Sequence, residues 1–128
     1  MKYPDQEIHD EIYKIVSQLG YRVFTFLPKE GTKYPFIVIG DTHLLPTATK
    51  SFLIGEVALN IHVWSDMTSR KKVSDIIHSL LHSFSKIRRI DERQWSMKLG
   101  SDSQIIKDNS TDEQLYHGII SVNFKFIG

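Results

Sequence analysis

Three of the six histidines of the chain fall in one stretch, NIHVWSDMTSRKKVSDIIHSLLHSF. His78 and His82 are four residues apart, a spacing that places two side chains on one side of a helix turn. His62 precedes them, and Asp66 and Asp75 lie close in sequence. Imidazole and carboxylate groups bind transition metals, and they also act as general acids and bases. The residue types in this stretch are therefore compatible with two kinds of site, a metal centre and a histidine-dependent catalytic site.

The helix that must carry His78 and His82 directs them away from a core. Its apolar residues recur with helical period on one wide stripe, and they are Val73, Ile76, Ile77, Leu80, Leu81, Phe84 and Ile87. His78 and His82 project onto the opposite, polar face. Ser79 follows His78, so the HExxH zinc motif is absent. We therefore expect a solvated or subunit-facing helix surface rather than a metal site.

The remaining catalytic patterns are also incomplete. His117 precedes Gly118, but no nucleophile accompanies it and the GxSxG elbow is absent. Asp41 follows an apolar run without a second carboxylate that can be placed beside it, and no phosphate-binding loop occurs. The chain has no cysteine, which excludes thiol catalysis, disulfides and thiolate zinc sites. We expect a protein that is not an enzyme and that needs no cofactor and no metal.

Length and charge further limit the class of protein to which the chain can belong. A chain of 128 residues predicts one domain, residues 1–128, with one hydrophobic core. Sixteen basic residues against fifteen acidic ones leave a net charge of +1, so bulk charge gives no reason to expect nucleic-acid or membrane binding. The basic clusters at residues 70–72 and 86–89 are expected to be solvated. No apolar run is long enough for a transmembrane helix and no signal peptide is predicted, which favours synthesis in the cytosol.

Hydrophobic periodicity predicts the elements that position these residues. A first helix runs to Leu19 and stops at Gly20, and the second starts after Ser65, Asp66 or Thr68 as its cap. Strands are predicted at residues 21–27, 36–41, 52–64, 94–99, 103–107 and 115–126. Residues 42–51 are expected to form a long hairpin loop. This order predicts an α+β fold: a mostly antiparallel, or mixed, sheet of about four to six strands packed against two helices.

The strands also carry more apolar surface than a small core needs. Residues 36–39 and 52–54 are continuous apolar runs. Excess apolar surface at the edges of a small domain indicates contact between subunits.

The order of several short motifs resembles a known family. Tyr34-Pro35-Phe36 opens a strand, Trp64-Ser65 ends the next, Arg70 begins a helix, and His117-Gly118 precedes the final strand. In this order and spacing they resemble the tail completion, or tail-to-head joining, proteins of long-tailed bacteriophages. The resemblance covers about residues 34–126 and depends on the whole set rather than on one motif. Ser69 stands where members commonly have a glycine.

The resemblance implies a structural protein of the virion. Such proteins assemble as a ring, expected to be hexameric, at the head-proximal end of the tail. The ring ends polymerisation of the tail tube and presents a surface to the head connector. Its partners would be further copies of itself, the tail tube protein and the connector or stopper protein, and the chain can be a monomer until it meets a tail. The alternatives are another head-tail adaptor or neck protein, and a small histidine-dependent metal enzyme.

Two surfaces are candidates for these contacts. The loop at residues 42–51 is either an arm that reaches a neighbouring subunit or the tube, or simply a mobile hairpin loop. The outer face of the second helix could face a lumen or a neighbour. The candidate interface residues are Thr42, His43, Leu44, Leu45, Pro46, Thr47 and Lys50 in the first surface, and His78 and His82 in the second.

Overall fold

The computed structural model describes residues 2–47, 54–110 and 112–128, and in them two helices lie against a seven-stranded sheet. The elements are α1 (Pro4–Gln18), β1 (Arg22–Phe24), β2 (Phe36–Pro46), β3 (Ile54–Asp66), α2 (Arg70–Phe84), β4 (Arg89–Ile90), β5 (Arg93–Met97), β6 (Asp102–Asp108) and β7 (Leu115–Ile127). The strand order is β1-β2-β3-β7-β5-β4, and β6 also pairs with β7. Among the strand pairs that these residues form, only β1–β2 is parallel. The predicted α+β class and mixed sheet are confirmed, with one strand more than the upper expectation.

Strands β3 and β7 form the centre of the sheet. They pair without interruption from Ile54 opposite Ile127 to Asp66 opposite Leu115. Along β3 every second residue is buried, and these buried residues include Val57, Leu59, Ile61 and Val63. The alternation predicted from the sequence is confirmed, because one face of the strand packs on the helices while the other faces outward.

Strands β5 and β6 share one edge of β7. Trp95 of β5 lies opposite Phe126, and Ser103 of β6 lies opposite Ile120. Between them the chain bulges at Leu99, whose side chain is 100% exposed, and at Gly100, whose φ of 93° favours glycine. Within the described ranges β6 pairs with no strand on its other side. It is therefore an open sheet edge.

Helix α1 follows the predicted pattern. Pro4 occupies its first turn, where a missing N–H costs nothing, and the helix ends before Gly20, whose φ is 93°. Ile8, Ile12 and Val16 are fully buried in the core shared with the sheet. No helix in the described part of the chain has the length and apolar character needed to cross a membrane.

A buried polar network fastens α1 to β5. The Glu7 carboxylate accepts a hydrogen bond from the Arg93 guanidinium at 3.1 Å and one from the Trp95 indole at 2.9 Å. Arg93 also donates to the backbone carbonyl of Lys2 at 2.8 Å. Glu7 is 4% exposed and Arg93 7%, so this ion pair is removed from water and held by several hydrogen bonds at once.

The second helix starts later than predicted. Its N-cap is Ser69, whose hydroxyl accepts a hydrogen bond from the Lys72 N–H at 3.2 Å. The predicted caps Ser65, Asp66 and Thr68 are wrong. The physical reason is that the Asp66 carboxylate already accepts hydrogen bonds from the backbone and hydroxyl of Thr68, which forms a turn before the helix.

The predicted loop at residues 42–51 is wrong over its first half. Strand β2 continues to Pro46, with Thr42 opposite Leu59 and Pro46 opposite Gly55. The register shifts between Ile39 and Thr42, so a bulge interrupts the alternation that would have revealed a strand. Pro46 is tolerated because no strand among the described residues pairs with this part of β2 on its other side.

Candidate functional site

Three segments that are distant in sequence form one row across the sheet. Phe36 of β2 lies opposite Trp64 of β3, and Trp64 lies opposite His117 of β7. These are the residues of the YPF, WS and HG motifs. Directly paired residues of an antiparallel sheet point to the same side, which here is the face opposite the helices. The fold therefore brings the three motifs together at one end of the outer sheet face.

Aromatic stacking holds this row together. The rings of Trp64 and His117 lie parallel, with centroids 3.8 Å apart and an angle of 11° between their planes. Tyr34 stacks on Phe36 with centroids 5.4 Å apart, and Phe24 meets Phe36 edge-on at 5.9 Å. Such pairs add stabilisation beyond the area that they bury.

A hydrogen bond joins two histidines beside the tryptophan. Nδ1 of His62 and Nε2 of His117 are 2.8 Å apart, so one ring donates and the other accepts. Burial lowers the pKa of both side chains. Asp41 partly opposes the shift in pKa at His62, whereas at His117 the neighbouring His62 adds to it and Asp108 opposes it. We call His62, Trp64 and His117 the histidine–tryptophan cluster, and it is uncharged near neutral pH.

Gly40 on β2 makes room for this cluster. A Cβ atom at Gly40 would lie 3.1 Å from Nε2 of His62 and 3.0 Å from the backbone oxygen of Asn60. Both distances are tighter than ordinary van der Waals contact. The missing side chain therefore leaves room for the His62 imidazole beside Gly40.

An apolar pocket of about 170 Å³ adjoins the cluster, and we call it the aromatic pocket. Its apolar lining is Leu27, Pro28, Tyr34, Phe36, Trp64 and Leu115. Pockets for small-molecule ligands usually measure roughly 300–1,000 Å³. The size of the aromatic pocket suits one side chain of a partner protein better than a substrate.

The histidines do not converge on one centre. His78 and His82 are exposed on α2, which packs against the opposite face of the sheet from His62 and His117. In the described ranges no group of three or more histidine, aspartate or glutamate side chains is arranged to hold a metal ion. The geometry supplies two imidazoles that are hydrogen-bonded and tilted by 31° to each other, with His117 stacked on Trp64.

The other candidate interface residues lie on or beside β2. Thr42, His43, Leu44, Leu45 and Pro46 belong to the strand, and Thr47 follows it directly, its N–H bonded to the Ile54 carbonyl at 2.9 Å. His43 and Leu45 are exposed. Lys50 lies outside the described residues.

The sequence placed His62 and His117 on outward strand faces but did not bring them together. The signal was present in part, since His117 belongs to one motif and His62 lies two residues before another, Trp64-Ser65. The register that joins β3 to β7 was missing, and a pairing between residues so far apart in sequence cannot be read from either strand alone.

Comparison with known proteins identifies a relative. No protein-family model matches the chain. The chain is 30% identical over 119 residues to the tail completion protein gp17 of Bacillus phage SPP1, and the match covers 92% of this chain and 83% of that protein. This identity extends over nearly the whole of both chains, and the resemblance inferred from the motifs is thereby confirmed. The chain therefore belongs to the tail completion protein family of bacteriophages.

Proposed function

We propose that this protein forms a ring at the head-proximal end of a phage tail, where it ends polymerisation of the tail tube and joins the tail to the head connector. A structural role in the phage tail follows from the family. The observation that carries the finer proposal is the 30% identity to a protein whose name is tail completion. Its partners are further copies of the chain, the tail tube protein and the connector or stopper protein.

The sheet edges support assembly into a ring. A cyclic ring uses two different surfaces of each subunit, one matching the other on the next subunit. This chain presents open strand edges on both sides of its sheet among the described residues, β6 on one side and the second half of β2 on the other. An open edge offers unpaired backbone groups for strand addition by a neighbour.

The second half of β2 also supports the arm that the sequence suggested. Residues 42–46 pair only with β3 in the described ranges, and the exposed side chains of His43 and Leu45 extend along this half of the hairpin. This half of the hairpin is our candidate for the element that reaches a neighbouring subunit or the tube. The exposed His78 and His82 make the outer face of α2 a second candidate contact.

The small size of the aromatic pocket supports a structural role over an enzymatic one. The pocket is smaller than a typical substrate site, and the two nearby imidazoles hydrogen-bond each other. That hydrogen bond uses Nδ1 of His62 and Nε2 of His117, so one nitrogen of each ring remains for any other partner.

Deletion of the gene from the phage that encodes it tests the proposal. DNA-filled heads should accumulate apart from tails, some tails should be abnormally long, and a plasmid-borne copy should restore joined virions. Electron microscopy scores all three outcomes, and antibody labelling of restored virions should mark the junction between head and tail.

Two results would redirect the interpretation. Normal joined virions from the deletion phage would refute the proposal. Separate heads and tails in which every tail has normal length would indicate a neck adaptor, which joins the two parts without ending the tube.

A further inference from the structure

An open basic groove lies at the end of the sheet remote from the histidine–tryptophan cluster. Its volume is about 510 Å³, and it is lined by Arg88, Arg89, Gln94, Trp95, Ser96, Lys125 and Ile127. We call it the basic groove. Three cations, an amide and a hydroxyl give it many hydrogen-bond donors, and exposed Ile127 adds an apolar contact.

The three cations of the basic groove have no carboxylate partner in the described part of the chain. Arg88 donates to the carbonyls of Ser85 and Ile87, and Arg89 to that of Asp91. Lys125 lies directly opposite Glu56 in the sheet. The Glu56 carboxylate instead binds Lys98, at 2.5 Å.

An acidic patch lies at the other end of the sheet. Glu30, Asp112 and Glu113 surround a shallow depression of about 500 Å³, together with Gly31, Thr32 and Tyr34. Among the described residues no basic side chain lines this depression, and Lys29 borders the adjacent aromatic pocket. Burial, followed by the charges of Glu113 and Asp66, raises the pKa of Tyr34. We call this depression the acidic patch.

The basic groove and the acidic patch cannot meet within one molecule. The acidic loop precedes Leu115 at the start of β7, whereas Lys125 is near the end of the strand. At about 3.4 Å per residue, β7 separates Leu115 from Lys125 by roughly 30 Å. That exceeds the screening length of about 10 Å at ordinary ionic strength. Opposite charges this far apart in one chain cannot pair with each other within that chain, but they can pair between copies.

We propose that the basic groove of one copy binds the acidic patch of the next copy. The contact joins two different surfaces, so it is the head-to-tail kind that closes into a ring when the rotation between subunits permits. The inference rests on the ring of the proposed function and names which surfaces meet in it. Carboxylates from the neighbour supply the partners that Arg89 and Lys125 lack.

Paired charge reversals test this contact. The groove-reversed variant carries Arg89→Glu and Lys125→Glu, and the patch-reversed variant carries Glu30→Lys and Asp112→Lys. Arg88 is left unchanged because it binds carbonyls at the end of α2. A control variant with Lys14→Glu and Lys72→Glu matches the groove-reversed variant in charge, and both of its sites are exposed on helices.

Sedimentation velocity of the full chain measures self-association. At about 0.02 M salt the wild-type chain should associate with rising concentration, and about 0.5 M salt should weaken the association. Each reversed variant alone should associate at least about tenfold more weakly, because an attraction becomes a repulsion. An equimolar mixture should recover association, since each variant then meets a neighbour of opposite charge. The control variant should behave as the wild type.

Three results in solution would overturn the inference. They are a wild-type chain that stays monomeric at about 1 mM in low salt, reversed variants that associate normally, and a mixture that does not recover. The proposed function is tested separately by the deletion phage, because normal joined virions from that phage would refute the function whatever surfaces the copies use. Restoration by both the wild-type and the groove-reversed genes would leave that function standing and remove this contact.

Discussion

Replacing Glu7 by alanine should destabilise the fold by about 3–5 kcal/mol, because it leaves a buried guanidinium without its counter-ion. Arg93 is 7% exposed and donates to Glu7 at 3.1 Å, while the Trp95 indole loses its acceptor at 2.9 Å. Unfolding entropy is about 2.1 cal/mol/K per residue, so for 128 residues each kcal/mol lowers the melting temperature by about 3.7 °C. The expected decrease is therefore about 11–19 °C.

Thermal and urea unfolding followed by circular dichroism measure this change. Glu11→Ala is the matched control on the same helix, because its partner Lys14 is 3.8 Å away and largely exposed. That change should cost no more than about 1 kcal/mol. Glu7→Gln should fall between the two, since its amide oxygen still accepts from Trp95 but carries no charge.

A loss below about 1 kcal/mol for Glu7→Ala would refute the reasoning. It would mean that water reaches the ion pair through the adjoining cleft, which is lined by Lys2, Glu7, Asp91, Glu92 and Arg93. A double-mutant cycle with Arg93→Ala separates the interaction energy of the Glu7–Arg93 pair from the other effects of each substitution. Strong coupling between the two changes is expected, because each single change leaves the remaining member of the pair without its counter-ion.

Further predictions concern the motif glycine, the helix cap and the histidine pair. Gly118→Ala should destabilise by about 1–3 kcal/mol, because a Cβ there lies within 3.1 Å of two α2 side chains, whereas Ser121→Ala on the outward face should be nearly neutral in urea unfolding. Ser69→Ala should cost about 1 kcal/mol but Ser69→Gly only a few tenths, measured by melting temperature; equal losses would contradict the cap. The pKa values of His62 and His117 are lowered from 6.5 in the folded state, so the unfolded chain binds protons at a higher pH than the folded chain. The free energy of unfolding therefore falls as the pH drops below about 6.5. The loss of unfolding free energy between about pH 7.5 and 5.5 should be smaller in His117→Asn, and an unchanged slope would refute this.

The periodicity of single elements could be predicted where burial enforces it. Val57, Leu59, Ile61 and Val63 alternate because one face of β3 packs on the helices and the other does not. The apolar stripe of α2 was predicted for the same reason, and His78 and His82 lie exposed as projected. In these elements local sequence and tertiary packing require the same pattern.

Features that depend on distant partners could not be predicted. The extension of β2 to Pro46 was missed because a bulge interrupts its alternation and an open edge removes the need for it. The two-residue strand β4 and the parallel pairing of β1 are defined only by their neighbours. The hydrogen bond between His62 and His117 requires the register of β3 on β7, which neither segment specifies alone.

The histidines show the difference between what one element and what the whole sheet can reveal. The sequence argued against a metal centre at His78 and His82 because they project away from the core and the HExxH motif is absent. The structure separates these residues from His62 and His117 by the thickness of the sheet and places the latter pair against Trp64. The sequence could not show that three motifs lie in one row of the sheet and so form a common surface.

The central place of β7 has a consequence for synthesis in the infected cell. β3 ends at Asp66 and its pairing partner begins only at Leu115. At about 5–20 residues per second, the edge of β3 waits roughly 2–10 s for that partner on the ribosome. During this interval the buried face of β3 and an unpaired edge are both available to other chains, including those being made on the same messenger. Yield of assembled tails should therefore respond to temperature and to chaperone supply through this delay, even when the finished fold is stable.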